Sequence, residues 1–171
     1  NHLPIYVGAL ALGTVALSGE LADGVMLYLC PKSRIPAALK ALEKGAAKAG
    51  RSATDIDITT GILSCIDNDA ESAVRAAREN LGFYGGLPYY NQLFRDSGFD
   101  EEAAAMADGK GTGATDRMAR ELAVVGSPSE CREQLAEFRS AGIDMPILNP
   151  VPVGGQSYLD AVRKAIETFG Q

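Results

Sequence analysis

Apolar positions along this chain cluster in two ways. Four short runs rich in Val, Ile and Leu, at about 4–9, 25–30, 56–66 and 145–149, read as β-strands. All except the third lack polar alternation, so they are expected to be covered on both faces, as in a parallel sheet. In the third, Ile56, Ile58 and Ile62 alternate with Asp57, Thr59 and Gly61, which predicts one face turned to a cavity.

Between the strands the period lengthens to that of helices. Ser33 is expected to cap a helix with an apolar face of Ile35, Leu39, Leu42, Ala46 and Ala49, stopped by Gly50. Asp69 is expected to cap the next, turning Ala70, Ala73, Val74, Ala77 and Leu81 inward. Ser127-Pro128-Ser129-Glu130 is a capping box with Pro at the first helical position, before a helix that buries Cys131, Leu135 and Phe138. A last helix places Leu159, Val162, Ile166 and Phe169 on one face.

The order is strand–helix, repeated four times, with one long insertion after the third strand. That insertion, about 80–125, reads as helical and carries Tyr84, Tyr89, Tyr90, Phe94 and Phe99. Right-handed β/α crossovers accommodate either an open sheet or part of a barrel. A buried strand at residue four needs neighbours on both sides, and the chain does not begin with Met. The expectation is therefore a single unit over 1–171 that forms the second half of a larger α/β domain.

Length and charge narrow the classes. With 171 residues the chain can bury a sizeable core. A net charge of −6 argues against a general nucleic-acid binder, which needs a basic patch to displace phosphate counterions. It leaves room for a local cationic pocket that takes a phosphorylated small molecule. Cys30, Cys65 and Cys131 match no metal-ligand spacing and read as small buried hydrophobes of a reducing compartment. No apolar run reaches the ~20 residues that span a bilayer, so no membrane partner is expected and the cytoplasm is the expected location.

Three motifs in order resemble the luciferase-like oxidoreductases, in particular the group that uses the deazaflavin coenzyme F420. The first is Ile5-Tyr6-Val7-Gly8-Ala9, followed by Gly19-Glu20-Leu21-Ala22-Asp23-Gly24-Val25. The second is Phe83-Tyr84-Gly85-Gly86-Leu87-Pro88-Tyr89-Tyr90, ending in Gly98-Phe99-Asp100-Glu101-Glu102. The third runs from Val125-Gly126-Ser127-Pro128-Ser129-Glu130 through Ala141-Gly142-Ile143-Asp144 to Pro146-Ile147-Leu148. The resemblance implies the C-terminal half of a TIM-type (β/α)8 barrel, an α/β fold with four parallel β/α units and a helical insertion after the third strand. It also implies coenzyme F420, with FMN as the alternative, and a small-molecule substrate.

The turn after the first strand is the main candidate site. Backbone N–H groups at a helix start form an anion site, and barrel ligands lie at the carboxyl ends of the strands. By resemblance this turn cradles the cofactor phosphate, through Gly8, Ala9, Leu10, Ala11 and Gly13. The family usually has Gly-Pro where this chain has Ala11-Leu12, and Gly13 comes one position later. Lys32, after the second strand, is either an anion-attracting group at the barrel mouth or a solvated loop lysine. Gly61 and Ser64 lie toward the end of the third strand as weaker substrate candidates. Gly61 either admits a planar ring or marks a bulge. Gly109-Lys110-Gly111-Thr112-Gly113 lacks P-loop spacing and reads as a flexible loop. His2 is assigned no role.

No metal site and no nucleophile–base pair assembles from the sequence, and the resemblance places the groups around the reacting ring in the other half of the barrel. Two readings follow. One is part of a flavin- or deazaflavin-dependent oxidoreductase that transfers a hydride to or from a small organic molecule. The other is a non-catalytic half-barrel that only packs and self-associates. On either reading, edge strands 4–9 and 145–149 are expected to drive homo-oligomerisation or pairing with an N-terminal half, through Ile5, Val7, Val25, Leu27 and Ile147.

Overall fold

The computed structural model describes residues 3–170; His2 lies outside them. The elements run β1 (Tyr6–Gly8), α1 (Leu12–Leu21), β2 (Gly24–Tyr28), α2 (Ile35–Lys48), β3 (Asp57–Ile66) and α3 (Ala70–Gly85). They continue with α4 (Pro88–Arg95), α5 (Asp100–Met106), α6 (Asp116–Leu122), β4 (Ala123–Gly126), α7 (Pro128–Ser140), β5 (Met145–Pro150) and α8 (Tyr158–Phe169). All strand pairs are parallel. One edge of β3 holds β2 along Asp57–Gly61 and then β4 along Leu63–Ile66. Because Thr59–Ser64 also pair with β5, that strand occupies the opposite edge.

The sheet thus has four staves in the order β1-β2-β3-β5, with β4 docked where β2 turns away. The expected fold class holds, with one correction. The stretch 80–125 is not wholly helical, since β4 occupies its end. Its apolar residues continue those of α6 (Met118, Ala119 and Leu122), so no change of period marks the boundary.

Alternation along the strands sorts side chains onto two faces. Val25, Leu27, Ile62 and Ile66 join Ala38, Leu42, Cys131 and Phe138 in the core beneath the outer helices. Tyr6, Gly8, Gly24, Met26, Tyr28, Thr59, Gly61 and Ile147 take the opposite, concave face, as the registers require. Val7, Val25 and Leu27, expected among the associating residues, therefore face the helices. The insertion builds a second core around Phe94, Phe99, Met106, Met118 and Leu122, reaching Leu63 and Cys65 of β3. Leu29, fully buried at φ +50°, turns its side chain from the strand pattern into that second core.

The outer helices pack closely because glycine lets backbones touch. A Cβ on Gly45 of α2 would lie 1.8 Å from the Ala16 carbonyl oxygen of α1, and one on Gly19 would lie 2.3 Å from that of Leu42. Helix ends follow their local chemistry in most places. Asp69 caps α3, and Ser127 with Glu130 closes the expected capping box on α7. Ser33 does not cap α2: it lies in a 3₁₀ turn, its amide donates to Glu121, and Arg34 holds the N-cap position.

Burial expectations change in three places. The runs of β1, β2 and β5 are not covered on both faces: Tyr6, Gly8, Met26, Met145 and Ile147 are exposed, and Ile5 just before β1 is 60% exposed. Ala49 and Ala70, expected to turn inward, are exposed. In α8 the buried residues are Ala161, Ala165 and Thr168, while Leu159 and Ile166 lie outward. The small side chains bring that helix close to the sheet and leave the larger apolar ones free.

Candidate functional site

At the carboxyl end of β1 the chain turns through Ala9–Ala11 into α1. Ala9 is anchored by its N–H to the Met26 carbonyl at 3.0 Å, which continues the β1–β2 ladder. Ala11 occupies the N-cap position at φ −90° and ψ 141° but has no side chain that can close the helix end. Its carbonyl accepts from Thr14 and Val15, each at 3.0 Å. The N–H groups of Leu12 and Gly13 have no acceptor among the described residues, as expected for the first helical turn.

No acidic residue lies in that turn. The helix dipole, roughly half a positive charge at the N-terminus, is therefore not offset locally. Around the loop the space is open: a Cβ on Gly8 or Gly13 would meet nothing within 4 Å. Other helix starts divide into two groups. α3 is closed by Asp69, α6 by Thr115, α7 by Ser127 and Glu130, and α8 by Ser157 and Asp160, while α2 and α4, like α1, start with neither a side-chain cap nor an acidic residue. The inner side of the loop packs on Val15, Leu27, Ala38 and Leu93, leaving a crevice of only about 10 Å³.

Arg34 lines the same crevice, and the sequence reading passed over it. It is 9% exposed, donates to the Asp96 carbonyl at 2.9 Å and lies 3.8 Å from the Asp96 carboxylate. Its available signal was a basic residue shortly after the carboxyl end of a strand. The structure thus gathers Gly8, Ala9, Leu10, Ala11 and Gly13 into one loop, with Arg34 behind it.

The weaker candidates are dispersed. Gly61 lies on the concave face in unbroken register with Tyr28 and Ile147, so it forms no bulge. The ring it admits is that of Tyr28. Ser64 is 2% exposed on the helix-facing side of β3, and its hydroxyl has no hydrogen-bond partner among the described residues. Lys32 pairs with Glu137 and sits 5.6 Å over the Phe138 ring, so its ammonium is held against α7.

Of the insertion aromatics, Phe94 and Phe99 are core residues and Tyr89 is exposed. Tyr84 and Tyr90 meet Tyr28 edge-on, and the Tyr28 and Tyr84 hydroxyls are 3.0 Å apart. Burial, and then the Tyr84 hydrogen bond, raise the Tyr28 phenol well above its ordinary pKa, so it stays protonated. These tyrosines wall one end of the concave face.

A parallel β/α half-barrel with an open, uncapped helix start at the carboxyl end of a stave is the ligand-binding arrangement of β/α-barrel proteins. The sequence profile of the luciferase-like monooxygenases matches residues 1–145, and the chain belongs to that family. It is 28% identical to the 5,10-methylenetetrahydromethanopterin reductase of Methanolobus tindarius, over 100% of this chain and 53% of that protein. The solved coenzyme F420-dependent tetrahydromethanopterin reductase of Methanopyrus kandleri superimposes with a TM-score of 0.74 at 26% identity, over 99% of this chain and 49% of the other. An F420-dependent secondary alcohol dehydrogenase shares the fold at a TM-score of 0.66 and 19% identity, over 86% of this chain and 43% of the other. The chain spans about half the length of the curated relatives it matches. Among the described residues no helix is long and apolar enough to cross a membrane.

Proposed function

We propose that this chain is the phosphate-cradling half of a cytoplasmic oxidoreductase that uses coenzyme F420 to move a hydride to or from a small organic substrate. The observation that supports this most is the start of α1. It follows the first stave and opens onto free space, and it lacks both cap and acid, as α2 and α4 also do, whereas four other helices cap their own ends. The relatives' use of F420 gives the anion its identity.

The residues fit such a group. A phosphate at this turn is bound by the Leu12 and Gly13 amides, with the Arg34 charge behind the loop. Ala11, where the family usually has glycine, is exposed and presents only a methyl, and an amide cradle needs no side chain. The deazaflavin ring supplies the hydride chemistry when bound, and this chain's part is to hold its phosphate and wall the ring. Tyr28, Met26 and Ile147 on the concave face exclude water from one side of that space. No residue here is assigned as catalytic.

Titration of the purified chain with coenzyme F420 and with FMN, followed by cofactor fluorescence, tests the reading. F420 is expected to bind, and Gly13→Val to weaken it about tenfold or more, roughly 1.4 kcal/mol, with unchanged circular dichroism. Equal binding by the variant would remove the cradle. Preference for FMN would move the protein to the flavin-using monooxygenases. Binding of neither would leave a half-barrel that only packs.

A further inference from the structure

We propose that the glycine-rich loop 109–113, together with Arg75 and Arg78 of α3, is a second anion site that takes the phosphate of a small phosphorylated molecule. The inference rests on the helical insertion and is independent of the cofactor reading. Gly109-Lys110-Gly111-Thr112-Gly113 joins α5 to α6, so it is not the strand-to-helix loop of nucleotide-binding proteins. Its backbone has a different feature of anion sites. φ is +71° at Gly109, +73° at Gly111 and +104° at Gly113, while Lys110 and Thr112 between them keep the ordinary hand. Alternation of hand along consecutive residues turns successive N–H groups toward one concave side, a nest for an anion. The N–H of Lys110 goes to the Asp108 carboxylate. Those of Gly111, Thr112 and Gly113 have no acceptor among the described residues.

The loop is seated firmly, although the sequence reads as flexible. A Cβ on Gly82 of α3 would lie 2.1 Å from the Gly111 carbonyl oxygen, and one on Gly113 would lie 2.8 Å from the Ala105 Cβ of α5. Two helices thus hold the three amides in place before any ligand arrives, which lowers the entropic cost of binding.

Charge completes the site. The stretch 111–114 shares a cavity of about 240 Å³ with Arg75, Arg78 and Glu79. A second cavity of about 370 Å³ adjoins it across the same two arginines and extends past Val74 to Arg120. Arg78 is partly committed: its Nε donates to the Ala114 carbonyl at 2.7 Å and its Nη1 to Asp116 at 3.1 Å. Arg75 donates to the Ser72 hydroxyl at 2.8 Å and has no carboxylate partner among the described residues. Glu71 and Glu79 stand one turn to either side of it on α3, yet neither pairs with it. Its guanidinium is therefore available to an anion in the cavity, and a planar guanidinium beside several amides matches the oxygens of a phosphate. A phosphate monoester fits the pair of cavities, with its phosphoryl group against the loop and its organic body along Val74.

Amide-resolved NMR spectra of the 171-residue chain, titrated with inorganic phosphate at fixed ionic strength, test this. Saturable shifts are expected at the amides of Gly111, Thr112 and Gly113. Arg75→Gln is expected to weaken that binding about tenfold or more, since it removes a charge-assisted hydrogen bond. Glu79→Gln removes a competing carboxylate and is expected to tighten it about twofold. All of these side chains are exposed, so unchanged spectra elsewhere check the fold. Leu12 and Gly13 report the α1 cradle separately, so failure of either site is visible without the other. Shifts at 111–113 that grow linearly without saturation, shifts confined to Leu12 and Gly13, or equal binding by Arg75→Gln would each overturn the proposal.

Discussion

Gly61 lies beneath the ring of Tyr28: a Cβ built on Gly61 would sit 2.2 Å from Tyr28 Cδ2 and 2.5 Å from Cε2. The pair is cross-strand, on the concave face, and the ring is held from the other side by Tyr84 and Tyr90. Gly24 and Tyr6 repeat the relationship on the neighbouring strands, with 2.3 Å from the added Cβ to the Tyr6 ring.

Gly61→Ala is therefore expected to destabilise the fold by about 1–3 kcal/mol, because the ring cannot move without losing its contacts to the insertion. In a Tyr28→Ser background the same change is expected to cost little. Denaturant midpoints of the four proteins in this cycle check the coupling, and additive effects would show that the contact is not the cause.

Ala11→Asp separates stability from binding at the start of α1. An acidic N-cap accepts from the free amides and opposes the helix dipole, so the variant is expected to gain about 0.5–2 kcal/mol of stability. The same carboxylate competes with a bound phosphate, so F420 affinity is expected to fall. A melt and a fluorescence titration on one preparation measure both, and tighter F420 binding by the variant would contradict the cradle.

Asp67 ties the end of β3 to two helices. It accepts from the Asp69 N–H at 3.0 Å, from Lys164 Nζ at 3.0 Å and from Gln156 Nε2 at 2.8 Å. The Asp69 amide first, and then Lys164, hold its carboxyl below the usual range. A folded pKa below the unfolded value, about 3.9, gives stability that is complete above that value and is lost as pH falls through the folded one. Asp67→Asn is expected to be less stable than wild type at pH 7, with the gap narrowing below about pH 4. Urea titrations at both pH values check this.

Cys30, Cys65 and Cys131 are free and buried, and burial pushes each thiol up to about 12. All three are expected to resist a thiol reagent at pH 8 in the folded protein and to react together in denaturant. A thiol that titrates rapidly in the folded state would show that its core opens locally.

Much of this architecture was legible from local chemistry. The runs that became β1, β2, β3 and β5 are short and apolar, rich in Val, Ile and Leu, and the Asp69 and Ser127 caps act within three residues of themselves. Gly50, at φ +68°, ends α2 as read. The alternation of Ile56, Ile58 and Ile62 with Asp57, Thr59 and Gly61 separated the two faces of the third strand, but the face expected to line a cavity is buried at Thr59 and at Gly61, which lies beneath the Tyr28 ring. The loop of Gly8, Ala9, Leu10, Ala11 and Gly13 was also visible, because a strand followed at once by a helix leaves the first amides of that helix without partners.

Tertiary structure alone decided the rest, since these features depend on partners distant along the chain. β4 is a strand because the edge of β3 beyond Gly61 is vacant where β2 turns away; four residues of Ala, Val and Gly do not specify that by themselves. Lys32 and Ser64 follow or end strands as binding residues do, yet Glu137 and Phe138, 105 and 106 positions later, hold the first, and strand parity turns the second toward the helices. Arg34 acquired a place behind the loop only through Asp96 of the insertion. The exposure of β1 and of Ile166 likewise follows from which edges the sheet leaves open. The sequence determined which segments are apolar and how each helix begins; which apolar faces meet a partner was settled by the order of strands in space.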